Sequence, residues 1–177
     1  MNRLIILGAG GFGRTVADIA RQTNHYDLIC HLDDVPGENV IGQLAEFSAI
    51  ASGTGGPDCS TEMLAAFGNN AFRLEWCKKI ASAGIKLAVL VHPRAYVSPV
   101  ADIGPGSVVL PMAVVNTEVR VEQGCIINCG ALIDHGCVIE EGCHICLGAI
   151  IKAENHIASL TKVEAGEVIE ARTFKLN

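Results

Sequence analysis

Three groups of residues in this sequence have the types and spacing to do chemistry. Gly8-Ala9-Gly10-Gly11-Phe12-Gly13 spells G-x-G-x-x-G, and Asp33-Asp34 follows at about the twenty-residue spacing of a ribose-binding acid. Glycines there let backbone N–H groups close on a pyrophosphate at a helix N-terminus, while the acid bonds a ribose hydroxyl or a base N–H. The same loop also suits a tight strand–helix turn that needs glycine only for packing. Asp134-His135 sets a carboxylate beside an imidazole, the side chain that exchanges protons near neutral pH. A neighbouring carboxylate can fix the tautomer of such a ring, although adjacent side chains on a strand point to opposite faces and need not touch. Cys143-His144-Ile145-Cys146 contains a C-x-x-C, a spacing found in metal and redox sites.

The elements that must position these groups fall into two textures. From Val97, every sixth residue is Val or Ile through Ile169, 13 positions without a break in phase. Three residues after many of them stands Gly (Gly106, Gly124, Gly130, Gly136, Gly142, Gly148, Gly166), and one residue further a small side chain (Ala101, Ser107, Ala113, Cys125, Ala131, Cys137, Cys143, Ala149, Thr161). β-branched, then Gly, then small describes a parallel β-helix with three short strands per turn: the branched residue stacks inward and Gly takes the corner. Cys125, Cys137 and Cys143 occupy the small inward slot, so the lattice accounts for them and no metal is expected. A backbone N–H near Gly148 is a candidate oxyanion donor. Outward-facing Leu110, Met112 and Leu132 are expected to be covered by oligomerisation.

The front of the chain reads differently. Leu4–Leu7 is a strand, 15–21 a helix with Val16, Ile19 and Ala20 on one face, and Leu28–Leu32 a second strand. Residues 65–70 form a strand end and loop, 71–83 a helix stopped by Gly84, and 87–91 a last strand before the His92-Pro93 junction. The expected fold class is therefore an α/β, Rossmann-like βαβ domain over residues 1–91, followed by an all-β parallel β-helix over 92–177. One domain of about ninety residues lacks a second mononucleotide-binding half, which disfavours dinucleotide oxidoreduction.

Composition limits the function classes. The 177 residues are 50% hydrophobic and 18% charged, too apolar for a disordered chain. A formal charge of −6 argues against a broad nucleic-acid or anionic-membrane surface. No apolar run reaches the length of a membrane span, and Met1–Leu7 reads as a buried strand and not as a leader. Eight Cys without a secretion signal suit a reducing, cytoplasmic compartment.

Taken in order, the G-A-G-G-x-G-[KR] loop, Asp33-Asp34, Gly68-Asn69-Asn70, His92-Pro93 and the hexads containing Asp134-His135 closely resemble the bacterial sugar acetyltransferases of the left-handed β-helix superfamily. The nearest type is the bacillosamine-pathway and sialic-acid O-acetyltransferase group, and the resemblance runs from residue 3 to about residue 150. It implies a left-handed coil, a homotrimer with active sites between neighbouring prisms, acetyl-CoA as donor, and an amine or hydroxyl of a nucleotide-linked sugar as acceptor. It assigns His135 as general base, Asp134 as the acid that orients it, and Asn128 and His144 to the donor side near Gly148. Gly8, Gly10, Gly11, Phe12, Asp33, Asp34, Gly68 and Asn69 match the positions that hold the nucleotide-sugar. Three features depart from relatives: several have His where this chain has Phe12, some have an acid where it has Gly136, and Lys152-Ala153-Glu154 replace a Gly-containing corner. The end of the sequence at Asn177, where relatives carry further coils, sets a second expectation: a trimeric nucleotide-sugar-binding protein with a shortened donor site and little or no catalysis.

Overall fold

The computed structural model describes residues 1–52 and 60–174. They fall into two compact units, Met1–Leu90 and Val91–Asn177.

In the first unit five parallel strands, β1 (Asn2–Leu7), β2 (Leu28–Leu32), β3 (Val40–Gly42), β4 (Ser60–Ala65) and β5 (Lys86–Leu87), pair in the order β3-β2-β1-β4-β5. Helices α1 (Gly11–Gln22), α2 (Phe47–Ser52) and α3 (Asn70–Ser82) complete it. Leu4, Ile5, Ile6 and Leu7 are all fully buried, as a central parallel strand covered on both faces requires. Val16, Ile19 and Ala20 bury one face of α1. Because β2 and β4 lie on opposite sides of β1, the connections after β1 and β4 diverge above the carboxyl ends of the strands, and a crevice opens there.

In the second unit, coils of 18 residues stack three flat sides, seen in the register Val97, Val115, Ile133, Ile151, Ile169 along the first side. The second side stacks Ile103, Val121, Ile139 and Ile157, and the third Val109, Ile127, Ile145 and Val163. The ten members from Val109 to Val163 are at most 2% exposed. The expected single strand over 87–91 is two: Leu87 pairs with Met63 in the α/β sheet, whereas Val91, six residues before Val97, belongs to the prism's own phase. Leu110 also differs from expectation. It is 3% exposed, while Met112 and Leu132 do stand outward at 65% and 40%.

The corner residue three places after each stacked Val or Ile adopts left-handed backbone from Gly106 onward. Seven of these corners are Gly, and Met112, Glu118, Glu154, Leu160 and Arg172 fill the others at φ of 56–61°, each at a cost of about 1 kcal/mol. The coil therefore passes through Lys152-Ala153-Glu154 without a break, with Glu154 N–H donating to His135 O at 3.0 Å.

The inward slot carries a second regularity. Ser107 Oγ, Cys125 Sγ, Cys137 Sγ, Cys143 Sγ and Asn155 Nδ2 each donate to the carbonyl 15 residues on, in the next coil, at 2.8–3.3 Å. The buried thiols satisfy backbone oxygens that a purely apolar slot would strand. Among the described residues no group of three or more His, Cys, Asp or Glu could hold a metal ion, and no helix is long and apolar enough to cross a membrane. Cys59 lies outside the described residues.

Candidate functional site

His135 stands exposed at the corner between the first and second sides, just before Gly136 (φ 66°). Asp134 does not reach its ring within the chain. The Asp134 Oδ1 accepts the His135 backbone N–H at 2.7 Å and Asn116 Nδ2 from the coil below at 3.3 Å. Asp134 thus pins the corner on which the imidazole is mounted.

One coil above His135, the Lys152–Ala153 peptide is clamped from inside: its carbonyl accepts Asn155 Nδ2 at 2.8 Å and Cys137 Sγ at 3.3 Å. A trans peptide then sends the Ala153 N–H the opposite way, outward. In the coils below, the equivalent N–H groups of Thr117 and His135 are capped by Asn116 and Asp134. Lys152 offers no such acceptor, and the Ala153 N–H has no partner among the described residues.

The donor-side residues gather at a different corner, between the third and first sides. Asn128 Oδ1 accepts the Cys129 N–H at 2.8 Å, so its Nδ2 faces His144 Nε2, at 3.0 Å. Nε2 is therefore the acceptor and the ring proton resides on Nδ1. Gly148 lies at this corner too, but its N–H already donates to Cys129 O at 3.0 Å, which removes it as an oxyanion donor. The sequence reading missed Ala153 and Asn155. The signal is present in the phase: Asn155 occupies the inward slot, which small residues fill in most other coils.

In the first unit the glycines divide by role. A Cβ on Gly13 would meet Gly8 O at 2.1 Å, so Gly13 is required for close strand–helix packing. Gly10, Gly11 and Gly68 would meet nothing within 4 Å, and none of them has left-handed backbone. Neither packing nor backbone conformation demands glycine at these three positions, which leaves open space over the start of α1, with Phe12 in its first turn. Asn69 is the N-cap of α3, accepting Phe72 N–H at 2.9 Å. The buried Arg73 holds the loop before it, donating to Phe67 O and Asn70 Oδ1, both at 2.9 Å.

Asp33 accepts Ala9 N–H at 2.6 Å and Val35 N–H at 2.9 Å. These backbone donors, Ala9 first, hold its carboxyl below the usual carboxylate range. Asp34 accepts Leu44 N–H at 3.2 Å. Beside Asp33 opens a cavity of about 800 Å³ between α1 and the segment after β2, lined among others by Gly10, Arg14, Arg21, His31 and Asn39.

Residues 3–80 match the family described as the PglD N-terminal domain. Over 123 residues the chain is 28% identical to the UDP-N-acetylbacillosamine N-acetyltransferase of Bacillus subtilis (strain 168), a match covering 62% of this chain and 52% of that protein. The chain therefore spans about half the length of the curated relative it matches. Among solved structures, the acetyltransferase domain of PglB from Neisseria gonorrhoeae FA1090 is 34% identical, with a TM-score of 0.84 over 94% of this chain and 81% of that one. The same domain has been solved in complex with acetyl coenzyme A. PerB from Caulobacter crescentus, in complex with CoA and GDP-perosamine, shares the fold at 21% identity, with a TM-score of 0.79 over 98% of this chain and 91% of that one. With the 18-residue coil, the α/β unit before it and 34% identity across nearly its whole length, the chain belongs to the hexapeptide-repeat sugar acetyltransferases of the left-handed β-helix superfamily.

Proposed function

We propose that this chain transfers an acetyl group from acetyl-CoA to an amine or hydroxyl of a nucleotide-linked sugar, with His135 as general base. One observation carries the reading: an exposed imidazole sits on a pinned corner, one coil below an outward peptide N–H, in a chain 34% identical to an acetyltransferase domain. As the acceptor's nitrogen or oxygen attacks the thioester carbonyl, its proton passes to His135. The Ala153 N–H is the donor for the developing oxyanion. The carbon–sulfur bond then breaks, and the leaving thiolate takes up the proton.

His144, its ring proton fixed on Nδ1 by Asn128, together with the open corner at Gly148, fits the thioester end of the donor. The α/β unit holds the acceptor's nucleotide, with phosphates over Gly10 and Gly11 at the start of α1. The two prism clusters stand at opposite ends of the first side, so completing one site takes a second copy. That side is outwardly apolar, with Tyr96 54%, Leu132 40% and Val168 46% exposed. A homotrimer whose neighbours meet there supplies His135 from one chain and the Asn128–His144 pair from the next.

Thiol release from acetyl-CoA against a panel of UDP-, CMP- and GDP-linked amino sugars tests this. His135→Ala should lower turnover by about a hundredfold or more with no loss of melting temperature, and unchanged turnover would remove the base assignment. Stabilisation by a nucleotide-sugar with no thiol release under any condition would favour the non-catalytic binding protein instead.

A further inference from the structure

His31 has no part in the chemistry described so far. It lies on β2, is 6% exposed, and forms part of the wall of the cavity beside Asp33. Its Nδ1 is 3.0 Å from Gly8 O. A carbonyl oxygen only accepts, so Nδ1 carries the proton and Nε2 of the neutral ring is an acceptor. The Cε1 edge between them lies against Gly13, 3.8 Å from where a Cβ there would stand.

Of the three carboxylates on the cavity wall, Asp33 and Asp18 are already engaged, while Glu38, with the Asn39 amide, adds acceptors on the segment after β2. Both Asp33 oxygens already receive backbone N–H groups. The α1 face contributes the guanidinium donors of Arg14 and Arg21, with Asp18 paired to Arg21 at 2.7 Å. Arg14 itself donates to Ala9 O at 3.2 Å. A nearly buried acceptor on this wall would lose its hydration when the space fills, unless the occupant returns a donor to it.

We infer that His31 Nε2 accepts a hydrogen bond from the nucleoside of the bound nucleotide-sugar, either a base N–H or a ribose hydroxyl, while Nδ1 anchors the glycine loop that receives the phosphates. The inference rests on the nucleotide-acceptor reading of the α/β unit and adds to it a residue that selects the nucleoside. One imidazole couples the two ends of the ligand: its donor shapes the loop at Gly8 and its acceptor reads the group beyond.

The two ring nitrogens can be separated by substitution. The amide of Asn overlays Nδ1, so His31→Asn keeps the donor to Gly8 O and loses the cavity acceptor. The longer amide of Gln reaches the Nε2 position, so His31→Gln restores an acceptor there. Calorimetric titration of the intact protein with UDP, CDP and GDP identifies the preferred diphosphate. Its 2′-deoxy analogue and an analogue methylated on the base N–H then give the two sources of the donor. His31→Asn should weaken the preferred diphosphate about tenfold at an unchanged melting temperature. His31→Gln should recover most of that loss. One of the two analogues should bind the wild type about tenfold more weakly and His31→Asn no worse than the parent diphosphate does.

Wild-type affinity retained in His31→Asn, or both analogues losing equally against wild type and variant, overturns the His31 assignment and leaves the nucleotide site standing. A wild-type protein that binds none of the three diphosphates overturns the nucleotide-acceptor reading, and this inference with it.

Discussion

Asn155 makes three side-chain hydrogen bonds from the inward slot, and replacing it gives a worked test of the clamp behind Ala153. The side chain is 1% exposed. Its Nδ2 donates to Lys152 O and Glu170 O, both at 2.8 Å, and its Oδ1 accepts Phe174 N–H at 3.0 Å. In Asn155→Ala the Lys152 carbonyl keeps the Cys137 thiol and the Glu170 carbonyl keeps Thr173 Oγ1 at 2.7 Å, so one group is stranded: Phe174 N–H. At about 1–3 kcal/mol for a stranded group, the loss is about 2 kcal/mol. For a chain of this length that is a fall of about 4–8 °C in melting temperature. Asn155→Asp sharpens the test. A carboxylate keeps the Phe174 bond but faces two carbonyl oxygens, so it should destabilise at least as much as Ala at pH 7. Its folded-state pKa would then lie above the unfolded value, the folded protein would hold the extra proton, and part of the stability would return as pH falls toward 5. Differential scanning calorimetry at both pH values, with thiol release measured in parallel, provides the check. Asn155→Asp melting within 1 °C of wild type at pH 7, or Asn155→Ala with full turnover, would refute the argument that this amide holds the Ala153 peptide.

Other outcomes follow from the same geometry. A Cβ on Gly104 would lie 2.6–2.8 Å from the Glu122–Gln123 backbone, whereas on Gly148 it meets nothing and bears only the left-handed backbone cost. Gly104→Ala should therefore lower the melting temperature by several times the effect of Gly148→Ala, about 1 kcal/mol; equal shifts would contradict it. Asp33 has a depressed carboxyl because of the Ala9 and then the Val35 N–H. Its contribution is therefore present above the unfolded value of about 3.9 and is lost as pH falls through the lower folded one. Asp33→Asn should flatten that part of the acid-melting profile. Leu132→Glu on the outward first side should shift sedimentation from a three-chain mass toward one chain and abolish thiol release together with it. Retention of the assembly would move the interface elsewhere.

The prism was legible because its signal is an unbroken phase: Val97 through Ile169 repeats at six regardless of what fills the other slots. Even so, the phase extends one hexad ahead of Val97. Val91 sits inside an apolar run with Leu87 that reads as a single strand, and only pairing partners divide the two. The roles at the corners were less legible because they depend on where a peptide points. The neighbourhood of Gly148 suggests a donor, yet the Gly148 N–H is spent on Cys129, while Ala153, marked in the sequence only as part of a corner without Gly, presents one outward. Asp134 and His135 are adjacent in the chain, but the carboxylate turns to the backbone and to Asn116, a partner 18 residues earlier that no local pattern announces. His31 reads as one more strand residue until the fold sets Gly8 O against one ring nitrogen and places the residue on a cavity wall.

The 18-residue stacking period has a consequence for how such a chain can change length. Excising a whole coil would shorten the column and leave every downstream side chain on its original azimuth. Excising a single hexad would keep the core filled with Val and Ile but rotate all that follows by a third of a turn, carrying an imidazole such as His135 to a corner where no companion group waits. Length variation compatible with activity is thus quantised in full turns, even though the interior would tolerate thirds.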